Sequence, residues 1–139
     1  MTMAPSPRAA WRRKWEPSPP ALVRVFERAL GKLRGVERRT MFGYPAVFVN
    51  GYMFAGLVRD RLILRLGDAD RERLLGRPGA RPFVAMGRTM KQWVVVPPAM
   101  STSGRGLGVW LGRALVHGRS LPAKGRLRRR GHPRPSDRG

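Results

Sequence analysis

The dipeptide Asn50-Gly51 constrains this chain more than any other feature, because it predicts a tight reversal between two extended segments. It is flanked by two four-residue apolar runs, residues 46–49 and 52–55. Asn and Gly tolerate the positive φ angles of a two-residue type I′ turn, whose twist matches that of antiparallel strands. We therefore predict a β-hairpin with three facing pairs: Val49 with Tyr52, Phe48 with Met53, and Val47 with Phe54.

The hairpin belongs to a longer segment with a period of two, from Arg39 to Leu66, in which a second reversal at Asp60-Arg61 leads into a strand at 62–66. Unbroken alternation places one set of apolar residues on the core face: Ala46, Phe48, Met53, Ala55, Leu57, Leu62, Leu64 and Leu66. The opposite face then carries Val47, Val49, Tyr52, Phe54, Val58 and Ile63. That face is too apolar for a solvated sheet face. We expect a cover from the chain's own helices or from Trp11 and Trp15; a homodimer or partner interface is the alternative.

Three helices and one further strand are predicted around this meander. A first helix, begun by a Ser18 cap and stopped at Gly35, carries apolar residues at helical spacing: Leu22, Phe26, Leu30 and Leu33. A short helix over 69–75, capped by Asp68, precedes a strand at 91–96 that Pro97-Pro98 closes. A final helix, ending near Gly118, has one apolar side: Leu107, Trp110, Leu111, Ala114 and Leu115. The expected order is α-β-β-β-α-β-α.

The length and composition place limits on the partners. A chain of 139 residues suits a single core. With 29 basic and 8 acidic residues, the net charge of +21 would attract nucleic-acid phosphates or anionic membranes. Arginine dominates, so compositional bias is an alternative source of the scattered charge. No apolar run approaches the ~20 residues of a membrane-spanning helix, and no apolar segment follows the early basic residues. We expect a cytoplasmic protein without membrane partners.

Catalytic and metal-binding arrangements are not evident in the sequence. The chain has no cysteine, which excludes disulfides, thiolate zinc sites and cysteine nucleophiles. The two histidines are His117, expected at a helix end where a cation suits the helix dipole, and His132 in a basic tail. Helix capping accounts for Asp68 and Asp70, and the glycine-rich run 104–108 lacks a phosphate-loop lysine. We predict no enzyme activity, no metal and no cofactor.

Several separated motifs resemble the TfoX/Sxy N-terminal domain family. The stretch 41–57, with a Met-Phe-Gly turn, an aromatic residue and then Gly-x-Met-Phe, resembles the opening signature of that family. Residues 62–65 resemble its next strand, Pro82-Phe83 with Met86-Gly87 its middle loop, and 110–121 its closing helix. The motifs fall in the family's order and span residues 22–122.

The resemblance implies an α+β fold, a two-layer antiparallel sheet of about five strands with flanking helices. It also implies a role associated with regulators of bacterial DNA uptake and competence genes, and no catalytic residues. The expected partner is an unidentified, transcription-related protein. Gly43 and Gly51 serve backbone geometry in this interpretation, while Phe42, Phe48 and Phe54 serve packing. The domain then spans 18–119, between a flexible basic, proline-rich lead-in at 1–17 and a disordered arginine-rich tail at 120–139.

The tail supports a second interpretation, a basic accessory protein that binds nucleic acid without sequence specificity. The candidate phosphate contacts are Arg126, Arg128, Arg129 and Arg130. Such a cluster neutralises phosphates without reading bases. No recognition-helix or RNA-binding signature accompanies it, and a purely solubilising role for the tail is the alternative.

Overall fold

A computed structural model of the chain describes residues 16–122, so most of the predicted lead-in and tail lies outside the described residues. The helices are α1 (Pro20–Leu30), α2 (Asp68–Leu75), α3 (Pro98–Ser103) and α4 (Leu107–Ser120). The strands are β1 (Glu37–Met41), β2 (Tyr44–Val49), β3 (Tyr52–Val58), β4 (Arg61–Arg65), β5 (Arg81–Ala85) and β6 (Arg88–Val95). This is the predicted α+β architecture, with helices flanking an antiparallel sheet.

The sheet has six strands in the order β1-β2-β3-β4-β6-β5, one more than the expected five or so. Both edge strands, β1 and β5, escaped the sequence prediction because they are largely exposed and lack apolar alternation. Pro82 fits β5 since an edge strand needs no ladder hydrogen bond on its outer side. Helix α3 was also missed: Pro97-Pro98 ends the preceding strand but begins a helix at the same point, as proline at a first helical position permits.

One apolar core joins all four helices to one face of the sheet. Helix α4 supplies the residues predicted for its buried side, Leu107, Trp110, Leu111, Ala114 and Leu115. The other helices add Leu22, Phe26, Leu30, Leu74 and Met100, and the sheet adds Val47, Val49, Phe54, Ala55, Leu57, Leu62, Leu64, Leu66, Val94 and Val96. Burial on this scale is the main favourable term in folding.

A β-bulge in the central hairpin changes which residues face that core. The pairs Val49–Tyr52 and Phe48–Met53 are confirmed, but Val47 pairs with Ala55 instead of Phe54 because the register shifts between Val47 and Phe48. An extra residue moves the side chains beyond it to the other face. Val47, Val49 and Phe54 therefore pack under the helices, and the prediction that put Ala46, Phe48 and Met53 there was wrong.

The helix ends also differ from the predictions. Helix α1 begins after Pro19 with no side-chain cap, and the Ser18 hydroxyl is buried with no hydrogen-bond partner among residues 16–122. It ends at Leu30 rather than continuing to Gly35. Helix α2 begins at Asp68 itself, with Gly67 at the capping position, so Asp68 is not the cap. The predicted boundaries of α2 and α4 are otherwise right to within about two residues.

The sheet has a second set of buried apolar residues, outside the helix-facing core. We call it the second face: Tyr44, Ala46, Phe48, Ile63 and Val95. The Arg39 guanidinium lies 4.8 Å from the ring centroid of Phe48 on this face, and that of Arg65 lies 5.4 Å from the ring centroid of Tyr52, which is paired with Val49. Cation–π contacts of this kind are worth about 0.5–1 kcal/mol at exposed sites.

Candidate interaction surfaces

Helix α4 presents apolar side chains on its solvent side as well as on its buried side. Val109 and Val116 are 63% and 66% exposed. They are seven residues apart with Gly112 between them, so all three fall on one helical face. Apart from its chain neighbours and the adjacent backbone of α4, no atom of the described residues would lie within 4 Å of a Cβ on Gly112, so the helix surface is open there. We call Val109, Gly112 and Val116 the valine stripe.

Helix α1 and the turn that follows it carry a line of positive charge away from the buried residues of the helix. Arg24, Arg28 and Lys32 are exposed at four-residue spacing, which is close to one helical turn. None of the three forms an ion pair with another residue of 16–122. We call them the basic stripe. A groove of about 350 Å³ beside this stripe is lined in part by Arg28, Lys32 and Arg105.

Positive charge is not confined to the chain ends. Residues 16–122 contain eighteen arginines and lysines but seven acidic residues. Three of these acids are paired in the structure: Glu27 with Arg38, Glu37 with Arg39, and Asp70 with Arg113 and Arg73. The domain as described is therefore strongly basic, and much of its arginine is available to anionic partners.

Asp70 links helices α2 and α4. Its Oδ1 accepts a hydrogen bond from Arg113 of α4 at 2.8 Å, and Arg113 also lies 5.4 Å from the ring centroid of Trp110. Arg77 approaches the same ring at 5.7 Å. Among residues 16–122 no group of three or more potential metal ligands comes together.

His117 lies in the last turn of α4, as predicted. Its imidazole is next to Gly67: a Cβ placed on Gly67 would stand 3.3 Å from His117 Nδ1. Its Nε2 atom is buried without a hydrogen-bond partner in the described part of the chain.

The structure agrees with the packing role assigned to Phe48 and Phe54 but not with that assigned to Phe42. Phe48 and Phe54 are buried, as the packing interpretation requires, but Phe42 is 86% exposed at the β1–β2 turn. Its φ of 53° belongs to the left-handed region, and the following Gly43 has a φ of 84°. Phe42 therefore does not serve core packing. The predicted phosphate contacts Arg126, Arg128, Arg129 and Arg130 lie outside the described residues.

Comparison with known families settles what kind of domain this is. The family model described as TfoX N-terminal domain matches residues 28–117, which run from the second half of α1 to the last turn of α4. The chain belongs to the TfoX N-terminal domain family. No curated protein and no solved structure matches the chain.

The TfoX N-terminal domain match covers the whole sheet, helices α2 and α3 and the valine stripe, but it excludes most of α1, including Arg24 of the basic stripe. This is not a family of known enzymes. Within residues 16–122, Ser101 is the buried polar residue, and its hydroxyl donates to the Pro98 carbonyl. No helix in that range is long and apolar enough to cross a membrane. The features of this TfoX N-terminal domain that suggest a function are its exposed valine stripe and basic stripe.

Proposed function

We propose that this chain is a non-enzymatic regulatory or adaptor domain of the TfoX type, linked to competence or transcription control, that acts by binding another protein. The observation that carries the proposal is the exposure of Val109 and Val116 on a helix whose other side is already buried. An apolar stripe at helical spacing fits the groove or helix of a protein partner. Exposed apolar area of this kind marks interaction sites on soluble domains.

The residues around the valine stripe favour a partner that has acidic side chains at the edge of its apolar contact surface. Arg113 lies between the two valines in sequence and Arg119 follows them, and both are exposed. Gly108 and Gly112 have no atoms within 4 Å of their Cβ positions, so a partner helix can approach the α4 backbone closely. Charged residues at the edge of an apolar contact select the partner and raise the association rate more than they raise affinity.

The test compares the proteins recovered with full-length variants expressed in a bacterial host. Each variant is chemically cross-linked, treated with nuclease and then captured. The double variant Val109→Lys with Val116→Lys removes the apolar stripe. Val84→Lys is the matched control, because Val84 is an exposed valine on the edge strand β5. We expect partners kept by the wild type and the Val84 variant to be lost from the double variant. Equal recovery by all three, or loss on nuclease treatment alone, contradicts the proposal.

A second candidate function, non-specific binding of nucleic acid, is favoured by the basic stripe. Arg24, Arg28 and Lys32 are exposed and not used in ion pairs within 16–122, so they are available to phosphates along α1 and the turn that follows it. The arginine-rich tail, residues 126–130, supplies further charge. Such contacts release condensed counterions, so the affinity falls steeply as salt rises.

Salt titrations distinguish the two sources of charge. One full-length variant replaces Arg24, Arg28 and Lys32 by Gln, and another replaces Arg126, Arg128, Arg129 and Arg130 by Gln. For duplex DNA, each lost phosphate contact lowers the slope of log affinity against log salt by about 0.9. We expect both variants to flatten the slope. Unchanged slopes in both remove this second candidate.

A further inference from the structure

The hairpin formed by β5 and β6 extends beyond its pairing with the rest of the sheet. Strand β4 pairs with residues 93–95 of β6. Nearer the turn, and within the part of the chain that the structure describes, β6 pairs only with β5: Val84 with Thr89 and Ala85 with Arg88. We call residues 84–91 the β5–β6 arm. All of it is exposed except the half-buried Ala85, so the arm offers an open surface to a partner.

The arm and its base carry positive charge that is not neutralised within the described chain. Arg88 and Lys91 lie in the arm and Arg81 lies at its base, and all three are exposed. None of them forms an ion pair with another described residue. The sequence contains no acidic residue between Glu72 and Asp137. These cations are therefore available to an anionic partner.

The turn of the arm presents an apolar side chain in an unfavourable backbone conformation. Met86 is 98% exposed, and its φ of 53° lies in the left-handed region that an unbranched apolar residue rarely adopts. Val84 and Met90, also in the arm, are 49% and 39% exposed. Neither core packing nor backbone preference explains a methionine at position 86. An apolar contact with a partner would account for it.

The dimensions of the arm suit the major groove of duplex DNA. Paired strands lie ~4.8 Å apart, and a two-stranded ribbon fits the ~12 Å width of the major groove but not the ~6 Å width of the minor groove. Val94 pairs with both Leu64 and Pro82, and β4 ends one residue later, at Arg65. The three further residues up to Met86 span about 10 Å at ~3.3 Å per residue, which exceeds the ~8.5 Å depth of the groove.

We propose that the β5–β6 arm enters the major groove of duplex DNA, with Met86 against thymine methyl groups and with Arg88 and Lys91 on backbone phosphates. Thymine presents its methyl group in the major groove, where apolar side chains contact it. Arg81 and Arg61 line a groove of about 360 Å³ at the base of the arm and add charge there. The proposal rests on the second candidate function, nucleic-acid binding, and gives it a site in the folded domain. It leaves the valine stripe for proteins.

The charges are tested by measuring the affinity of the full-length protein for a short A·T duplex over a range of salt concentrations. One variant replaces Arg88 and Lys91 by Gln. The matched control replaces Arg38 and Arg39 by Gln, which removes the same charge from the opposite edge strand, where both arginines are paired with glutamates. We expect the arm variant to flatten the slope of log affinity against log salt by about 1.8, from two contacts at ~0.9 each. The control should keep the wild-type slope.

The apolar tip is tested with the same duplex after uracil replaces thymine, which removes only the methyl groups. We expect the wild type to bind the uracil duplex about fourfold more weakly, the factor for one buried methyl-sized group. Met86→Asn should bind both duplexes equally. Its unfolding free energy should not fall, because asparagine suits the left-handed turn, so its weaker binding to the thymine duplex would not result from misfolding.

Every other outcome overturns the proposal, and one of them spares the second candidate function. If the arm variant keeps the wild-type slope while the basic-stripe or tail variant flattens it, the protein binds DNA without the arm. If the wild type binds no DNA, the proposal and the second candidate function both fail. Equal wild-type affinity for the two duplexes would exclude the major-groove contact. Loss of cross-linked proteins from Met86→Asn after nuclease treatment would assign the arm to a protein partner.

Discussion

Gly118 in α4 lies directly against Val49 at the end of β2. A Cβ placed on Gly118 would stand 2.6 Å from Val49 Cγ1 and 3.8 Å from Phe54 Cβ. Real Cβ atoms do not approach a neighbour so closely, and Val49 has a stiff, branched side chain. The close approach of α4 to the sheet thus depends on the missing side chain at position 118.

Gly118→Ala should destabilise the domain even though alanine is the better helix former. The added methyl group must push α4 away from Val49 or force Val49 out of its rotamer. Overpacking of this type costs about 1–3 kcal/mol, which exceeds the gain in helix propensity. Urea unfolding followed by tryptophan fluorescence measures the loss.

Gly112→Ala is the matched control in the same helix, and it should have the opposite sign. Nothing lies within 4 Å of a Cβ at this position, so only the helix propensity changes. We expect the free energy of unfolding to rise by about 0.5–1 kcal/mol. Destabilisation by both substitutions would mean that α4 packs differently from the structure described above.

The fold could be predicted from the sequence wherever the period of the apolar residues was unbroken. The alternation of Leu62, Leu64 and Leu66 gave the correct face, as did the helical spacing of Leu107, Trp110 and Leu111. The faces of β2 were predicted wrongly, because nothing in the residue types marks the bulge opposite Val47. Edge strands β1 and β5 carry no burial signal in sequence, so pairing with β2 and β6 alone defines them.

The bulge can be tested by comparing two neighbouring residues. Phe54→Ala should cost about 3–5 kcal/mol, since Phe54 is fully buried under the helices. Met53→Ala should cost much less, since Met53 is half-buried and points to the other face, where its methyl lies close to Gly56. Denaturant unfolding of both variants gives the order. Unbroken alternation predicts the reverse order, so a larger cost at Met53 would contradict the bulge.

The turn between β5 and β6 has an unfavourable residue. Met86 is 98% exposed and has a φ of 53°, in the left-handed region that asparagine adopts far more readily than an unbranched apolar residue. Met86→Asn would create the same Asn-Gly pair as at 50–51, and we expect a gain of about 0.5–1 kcal/mol in unfolding free energy. Asn50→Met is the reverse substitution and should lose at least as much. A loss from Met86→Asn would show that Met86 makes a favourable contact.

The candidate surfaces could be predicted from sequence only in part. The basic stripe is visible in advance, because Arg24, Arg28 and Lys32 alternate with the buried residues of α1 at helical spacing. The valine stripe is not, since valines in a helix ordinarily indicate core. Only the contacts of α4 with the sheet show that Val109 and Val116 fall on the side away from it.

The ion pair between Asp70 and Arg113 joins α2 to α4, and its contribution can be isolated by a double-mutant cycle. The pair is partly exposed, with 26% and 42% of the respective side chains accessible, so solvent screens it. We expect a coupling energy of about 0.2–1 kcal/mol from Asp70→Asn and Arg113→Gln, decreasing as salt rises. Arg73→Gln with Asp70→Asn is the control cycle: Arg73 is 3.8 Å from the same carboxylate, so its coupling should be smaller. The packing of Arg113 against Trp110 cancels in this cycle, because it is present with or without the carboxylate charge. Coupling for Arg113 that does not fall as salt rises would therefore contradict a solvent-screened ion pair.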